Sequence, residues 1–181
     1  MKTVVFGGGC FWCTEAVFKM LKGVARVEPG YAGGTIVNPS YERVSMGDSG
    51  HAEVIRVTYD PTLISYDDLL TVFFGSHDPT TPNRQGNDVG EQYRSVIFYS
   101  DDEEKTTAER ILKEVQESLT DGTRVVTQVV ELKEFFPAED YHKDYYKNNT
   151  SAPYCQIIIE PKLEKVRKRF AELVNAQDAK E

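Results

Sequence analysis

The chain has 181 residues, a length that suits one domain over 1–181, and 40% of them are hydrophobic, enough for a core without staples. A formal net charge of -8 leaves no basic stripe to neutralise phosphates, which argues against a nucleic-acid partner. No apolar run approaches the ~20 residues of a membrane span. The opening MKTVVFGGGC has one lysine and an apolar stretch too short for a signal peptide, so the expected location is cytoplasmic, where thiols stay reduced. Three cysteines, an odd number, do not make a disulfide framework and point to reactive or buried thiols.

Strands and helices alternate along the chain. Residues 2–6 read as a buried strand ended by Gly7, Gly8 and Gly9, and a helix follows over 10–21, with Trp12, Ala16 and Met20, and Val17 and Leu21, at i, i+4 spacing. Residues 51–59 read as a strand. Residues 65–76 read as a helix with Ser65 as its cap and Asp67 and Asp68 in its first turn. The segment 80–90 (TTPNRQGNDVG) has no periodicity, and a polar loop of that length in a compact domain is usually functional. A strand is expected over 93–99. The helix at 101–119 carries one stripe of Ala108, Ile111, Leu112, Val115 and Leu119. Strands at 125–132 and 156–160 and a helix at 162–174 complete the pattern. The basic run KLEKVRKR (162–169) alternates with Leu163 and Val166 and reads as the wet face of that last helix. The final seven residues, NAQDAKE, read as a frayed tail. Strands and helices mixed around one core give an α/β or α+β two-layer domain.

The densest chemical signal is GGGCFWCTE, residues 7–15. A cysteine that opens a helix faces backbone N–H groups and the positive end of the helix dipole, which stabilise a thiolate. Cys10 is therefore expected to have a depressed pKa and to act as a nucleophile. Cys13 lies one helical turn on, close enough to close a disulfide. The same pair could be half a zinc site, completed by Cys155 and one of His51, His77 or His142, but there is no second paired-ligand motif. Two buried cysteines packing a helix would explain neither the glycines nor Phe11-Trp12, an aromatic wall suited to a small apolar group. In the strand 51–59, alternation puts Glu53 on one face with Ile55, Val57 and Tyr59. A carboxyl group on an apolar face is desolvated, holds its proton and can deliver it.

GCFW followed by Glu15 resembles the active-site signature of A-type methionine sulfoxide reductases. GYAGG (30–34), NPSYERV (38–44), GHAEVIRVTYDP (50–61), HDPTTPNRQGNDVGEQYRS (77–95) and YHKDY (141–145) resemble family segments in the family's order. The resemblance implies reduction of the S epimer of methionine sulfoxide, free or in a peptide, with Cys10 as nucleophile and Glu53 as acid. It implies that Tyr41 and Tyr93 hydrogen-bond the sulfoxide oxygen, that Asp88 lines the site, and that Phe11 and Trp12 grip the substrate methyl. It further implies a sulfenic acid on Cys10, an intramolecular disulfide, recycling by a thioredoxin-like protein as external dithiol, and no cofactor or metal. The implied fold is an α+β two-layer sandwich of ferredoxin-like type with a mixed, largely antiparallel sheet. Glu15 and the three histidines receive no chemical role.

The chain departs from the family's common form in three places. Cys13 stands where glycine is usual, Ser45 where a cysteine is common, and no glycine-rich, cysteine-bearing C-terminal tail is present. Two candidates remain for the resolving thiol: Cys13, favoured for its i+3 spacing, and Cys155, at the start of an apolar run. Direct reduction by an external thiol is a third course. A thioredoxin-like disulfide oxidoreductase built on Cys10 and Cys13 is the rival enzyme, and a binding module for oxidised methionine the non-enzymatic alternative. No apolar stripe is left over, so a monomer is expected.

Overall fold

The computed structural model describes residues 1–178. Its centre is β1 (Lys2–Gly8), which pairs antiparallel with strands on both sides. After β1 come α1 (Phe11–Lys19), β2 (Val24–Ala32), α2 (Tyr41–Ser45), β3 (Ala52–Tyr59) and α3 (Tyr66–Ser76). A two-residue hairpin, β4 (Arg84–Gln85) and β5 (Asp88–Val89), precedes β6 (Ser95–Tyr99), α4 (Asp102–Ser118), β7 (Gln128–Glu131), β8 (Phe135–Pro137), α5 (Tyr145–Asn148) and α6 (Glu160–Arg169). The main sheet runs β7-β6-β1-β3-β2-β8, and only its β6–β7 pair is parallel. This is an α+β arrangement with a mixed, largely antiparallel sheet.

One face of the sheet carries the main core. Phe6, Ile55, Val57 and Ile97 meet Val17 and Phe18 of α1, Leu69 and Phe73 of α3, Ile111 of α4 and Leu163 of α6. The Phe6 ring lies 5.0 Å from Phe73 and 5.5 Å from Phe18. Burying a side chain of this kind contributes about 1.5–3 kcal/mol. The other face closes on a smaller cluster, Val5, Ala32, Ala52, Val54, Val96 and Phe98, all from strands. The alternation read in β3 is the one observed: Ala52 and Val54 point to the small cluster, Ile55, Val57 and Tyr59 to the helices. Ser65 caps α3 in a reciprocal capping box with Asp68, which satisfies two backbone donors at the helix start.

The largest departure from expectation is at 156–160. Here Cys155–Ile159 forms a turn of π-helix that runs directly into α6. The run of β-branched residues suggested a strand, but burial follows a helical stripe: Cys155, Ile159, Leu163 and Val166 are inside, while Ile157 is 69% exposed. The helix expected over 162–174 starts at Glu160 and ends at Arg169, because the chain turns at Phe170 and Val174 forms a bridge to Leu21. The strand expected over 93–99 starts at Ser95, since Glu91–Tyr93 is a 3-10 turn. The strand expected over 125–132 is confined to Gln128–Glu131. β2 went unread because Pro29 and Gly30 interrupt its pattern. Pro29 is tolerated because β8 pairs with β2 only from Gly30 onward, so the missing N–H lies outside the ladder. Of the expected frayed tail, 175–178 is tied down: Asn175 N–H donates to the Met20 carbonyl and the Asp178 carbonyl accepts from Arg167. Residues 179–181 lie outside the described residues. Among the described residues no helix is long and apolar enough to cross a membrane.

Candidate active site

The site begins where β1 turns into α1. Gly9 takes φ +94, and a Cβ there would stand 2.7 Å from the Gln85 side chain, so only glycine makes this turn without strain. Cys10 follows as the helix N-cap, its carbonyl accepting from the N–H groups of Cys13 and Thr14. Cys10 and Cys13 thus occupy the N-cap and N3 positions, whose side chains face one another, and their thiols share a hydrogen bond.

Their electrostatics differ from the expectation of a low-pKa Cys10. Burial pushes the Cys10 thiol well above its ordinary value, with the shared bond to Cys13 and the Glu53 carboxyl acting in the same direction. Cys10 is 9% exposed, and the cost of a desolvated thiolate outweighs the helix terminus. Cys13 is the lowered partner, at about 7, chiefly through the hydrogen bond from Cys10; burial opposes this, and Lys162 assists. The two thiols are therefore unequal, Cys10 the raised member of the pair and Cys13 the lowered one.

Glu53 lies on the helix-facing side of β3, opposite Tyr31 of β2, and is 2% exposed. Its Oε2 accepts from the Phe11 N–H at 3.0 Å, at the first turn of α1. Burial raises its pKa to about 8 against that bond, with no cation paired to it among the described residues. The carboxyl is thus neutral at pH 7. Tyr41 and Tyr93 lie in the electrostatic reach of both Glu53 and Cys10, and burial raises both phenols above their ordinary value. Tyr41 opens α2, where its N–H donates to Glu139 at 2.9 Å, and Tyr93 ends the 3-10 turn before β6. Asp88 comes from the β4–β5 hairpin, inside the loop singled out at 80–90.

The aromatic pair is placed differently from a simple wall. Phe11 is wholly buried, its ring 4.9 Å from His142 and 5.7 Å from Tyr31, so it supports the site from behind. Trp12 is half-buried; Tyr145 stacks on its face at 3.7 Å and its Nε1 donates to His142 Nδ1 at 3.0 Å. Cys155 is fully buried beside Cys13, and burial raises its pKa. The remaining histidines are structural, His77 bridging the Phe73 carbonyl and Ser95, and His51 bonding Gly34 and Ile36. Among the described residues no group of three or more His, Cys, Asp or Glu side chains could hold a metal ion.

Two residues stand in the site that sequence reading passed over. The Tyr154 hydroxyl donates to Asp88 Oδ2 at 3.0 Å and lies 3.7 Å from Cys13 Sγ. Lys162, within the basic run, lines the same cavity of about 230 Å3 as Cys10, Cys13, Asp88, Tyr154 and Ile158. One tyrosine among ten and one lysine on a wet helix face carry no distinguishing pattern. Another cavity, of about 310 Å3, lies toward the C-terminal end of α1 between Glu15, Lys19, Asp144 and Arg167, away from both thiols.

Known proteins resemble the chain over most of its length. The family model described as peptide methionine sulfoxide reductase matches residues 2–174. A protein of Sulfolobus acidocaldarius named peptide methionine sulfoxide reductase MsrA is 53% identical over 170 residues, 94% of this chain and 96% of the relative. One of the same name from Saccharolobus solfataricus is 48% identical over 98% of this chain and 99% of its own length. Methionine sulfoxide reductase A of Corynebacterium diphtheriae superposes with a TM-score of 0.80 at 34% identity, covering 83% of this chain and 76% of that one. Mxr1 from Saccharomyces cerevisiae in reduced form gives 0.79 at 35%, covering 85% and 88%. Mxr1 in complex with Trx2 gives 0.56 at 25%, covering 80% and 84%. With its family model spanning nearly the whole length and half its residues identical to those of such relatives, the chain belongs to the peptide methionine sulfoxide reductase family, A type.

Proposed function

We propose that the chain, acting as one catalytic domain in the cytoplasm, reduces methionine-S-sulfoxide, free or in peptides, and is recycled by a thioredoxin-like protein, with no prosthetic group. The observation that carries this reading is the buried Glu53 carboxyl, neutral at pH 7 and bonded to the backbone one residue from Cys10. An acid that stays protonated beside a thiol is what a sulfoxide oxygen requires as it leaves. The complex of its structural relative Mxr1 with Trx2 supports the choice of reductant.

The steps follow from the charges. Cys13, lowered to about 7, takes the proton of Cys10. The Cys10 thiolate attacks the sulfoxide sulfur while Glu53 delivers its proton to the oxygen, with Tyr41 and Tyr93 as hydrogen-bond donors to that oxygen. The S–O bond breaks, methionine departs with its sulfur reduced, and Cys10, now oxidised, carries the oxygen as sulfenic acid. Cys13 then closes the disulfide and water leaves. Its hydrogen bond to Cys10 favours it over Cys155, which has Cys13 as its thiol neighbour. Trp12 and the cavity at Cys10 form the seat for the substrate side chain.

The test is turnover of both epimers of a methionine sulfoxide peptide with dithiothreitol and then thioredoxin. The S epimer alone should be reduced, and Cys10→Ser should lose all of it. Reduction of neither epimer by the unmodified protein would overturn the reading.

A further inference from the structure

The thiol pair solves the first step by moving a proton from Cys10 to Cys13, and so creates a difficulty for the second. Cys13 must shed that proton before it can attack the sulfenic acid, yet it is buried, as is Cys10. The structure offers it one direct route. Cys13 Sγ lies 3.7 Å from the Tyr154 hydroxyl, which donates its own hydrogen to Asp88 Oδ2 at 3.0 Å. With the phenol hydrogen committed to the carboxylate, the phenol oxygen is left to accept from the thiol. Tyr154 is held in place for this by its edge-on contact with Trp12, ring centroids 5.8 Å apart at 80°, and by the π-turn that starts at Cys155. Such turns recur at functional sites.

We propose that Tyr154 is a proton relay for disulfide closure, passing the Cys13 proton to Asp88 as Cys13 attacks the sulfur of the Cys10 sulfenic acid. The inference rests on Cys13 being the resolving thiol. The S–S bond forms and the Cys10 S–O bond breaks. The thiol proton moves to the Tyr154 oxygen as the phenol proton moves to Asp88. Asp88 then gives its proton to the departing hydroxide, which leaves as water. Carboxylate and phenol are both restored, and the cysteine oxidation states balance without a further reactant. Several groups face the pair from the surrounding elements: Cys10 at the β1–α1 junction, Glu53 on β3, Lys162 on α6 and Cys155 at the π-turn. Of these, Lys162 is the cation, and it favours the thiolate that the relay produces.

The experiment is a single turnover of reduced protein with a methionine-S-sulfoxide peptide, quenched by acid. Methionine release is followed by chromatography, and disulfide closure by thiol alkylation and mass spectrometry. In Tyr154→Phe the ring stays on Trp12 and the hydroxyl is lost. The ratio of closure rate to methionine-release rate should fall about tenfold or more at pH 6.5, as expected for losing a proton-transfer group. The deficit should shrink as pH rises past the Cys13 value, where solvent has already removed the proton. Asp88→Asn should show the same recovery of the ratio with pH. An unchanged ratio in Tyr154→Phe, including one in which both steps slow together, overturns the relay, as does a deficit that ignores pH. Cys13→Ser separates the two ideas: closure that persists through Cys155 would overturn the choice of Cys13 itself.

Discussion

Two glutamates that meet one helix are equally buried and have opposite fates. Glu15 and Glu53 are each 2% exposed. Glu15, on α1, ion-pairs with Lys19 at 2.9 Å and accepts from the Asp144 N–H at 3.0 Å, and Lys19 reaches on to Asp144 at 2.6 Å. Glu53, on β3 against the first turn of α1, has one backbone N–H and no cation among the described residues. The ion pair and the Asp144 N–H make Glu15 a tie between α1 and the segment before α5. The Glu53 carboxyl, buried without a cation, keeps its proton, which makes it an acid at pH 7. Burial is common to both; the partner decides which is structure and which is chemistry.

That contrast can be broken most sharply at Glu53. Glu53→Gln keeps the shape and the acceptor for Phe11 N–H but has no proton to give. The rate of methionine formation should fall by about 10²–10⁴-fold, read by single-turnover kinetics. The same variant should be more stable. Between its ordinary 4.5 and about 8, the folded protein holds a proton on Glu53 that the unfolded chain has lost. Stability therefore falls as pH rises through that window and levels off above it. Glu53→Gln removes the penalty, about 3 kcal/mol at pH 7, and denaturant titrations at pH 5 and pH 8 would measure it. A variant that is slower and less stable would assign Glu53 a structural role instead.

The pH profile sharpens the comparison without mutation of the nucleophile. Methionine formation in the unmodified protein should decline above about 8, as Glu53 loses its proton. That descending limb should be absent from Glu53→Gln. Glu15 should behave as a scaffold residue: Glu15→Ala strands the Asp144 N–H and should cost about 1–3 kcal/mol in urea unfolding. Its rate of methionine formation per folded molecule should match the unmodified protein. Lys19→Met should cost less than Glu15→Ala, about 1 kcal/mol, because Glu15 keeps its Asp144 N–H bond and the lysine lost is partly exposed. A loss from Lys19→Met larger than from Glu15→Ala would reverse the assignment of what holds α5 to α1.

The sequence alone determined the parts that depend on local pattern. Alternation in β3 put Glu53 among Ile55, Val57 and Tyr59, and that face is the one the helices cover. The i+3 spacing put Cys10 and Cys13 one turn apart at a helix start. Ser65 announced the cap of α3, and the polar loop at 80–90 marked the source of Asp88. What only the tertiary structure decided is each group's surroundings, which chain order does not encode. Cys10 faces a helix start, as read, but burial and Glu53 raise its thiol and hand the low value to Cys13. The apolar run at 157–159 has strand-forming residues, but packing on α1 and α3 selects a helical stripe. Tyr154 and Lys162 reach the thiols from more than a hundred residues away, and Glu15 gains the Asp144 backbone from nearly as far. Proton affinity is set by desolvation and by partners within a few ångströms, and those partners are brought together by the fold rather than by the order of the chain.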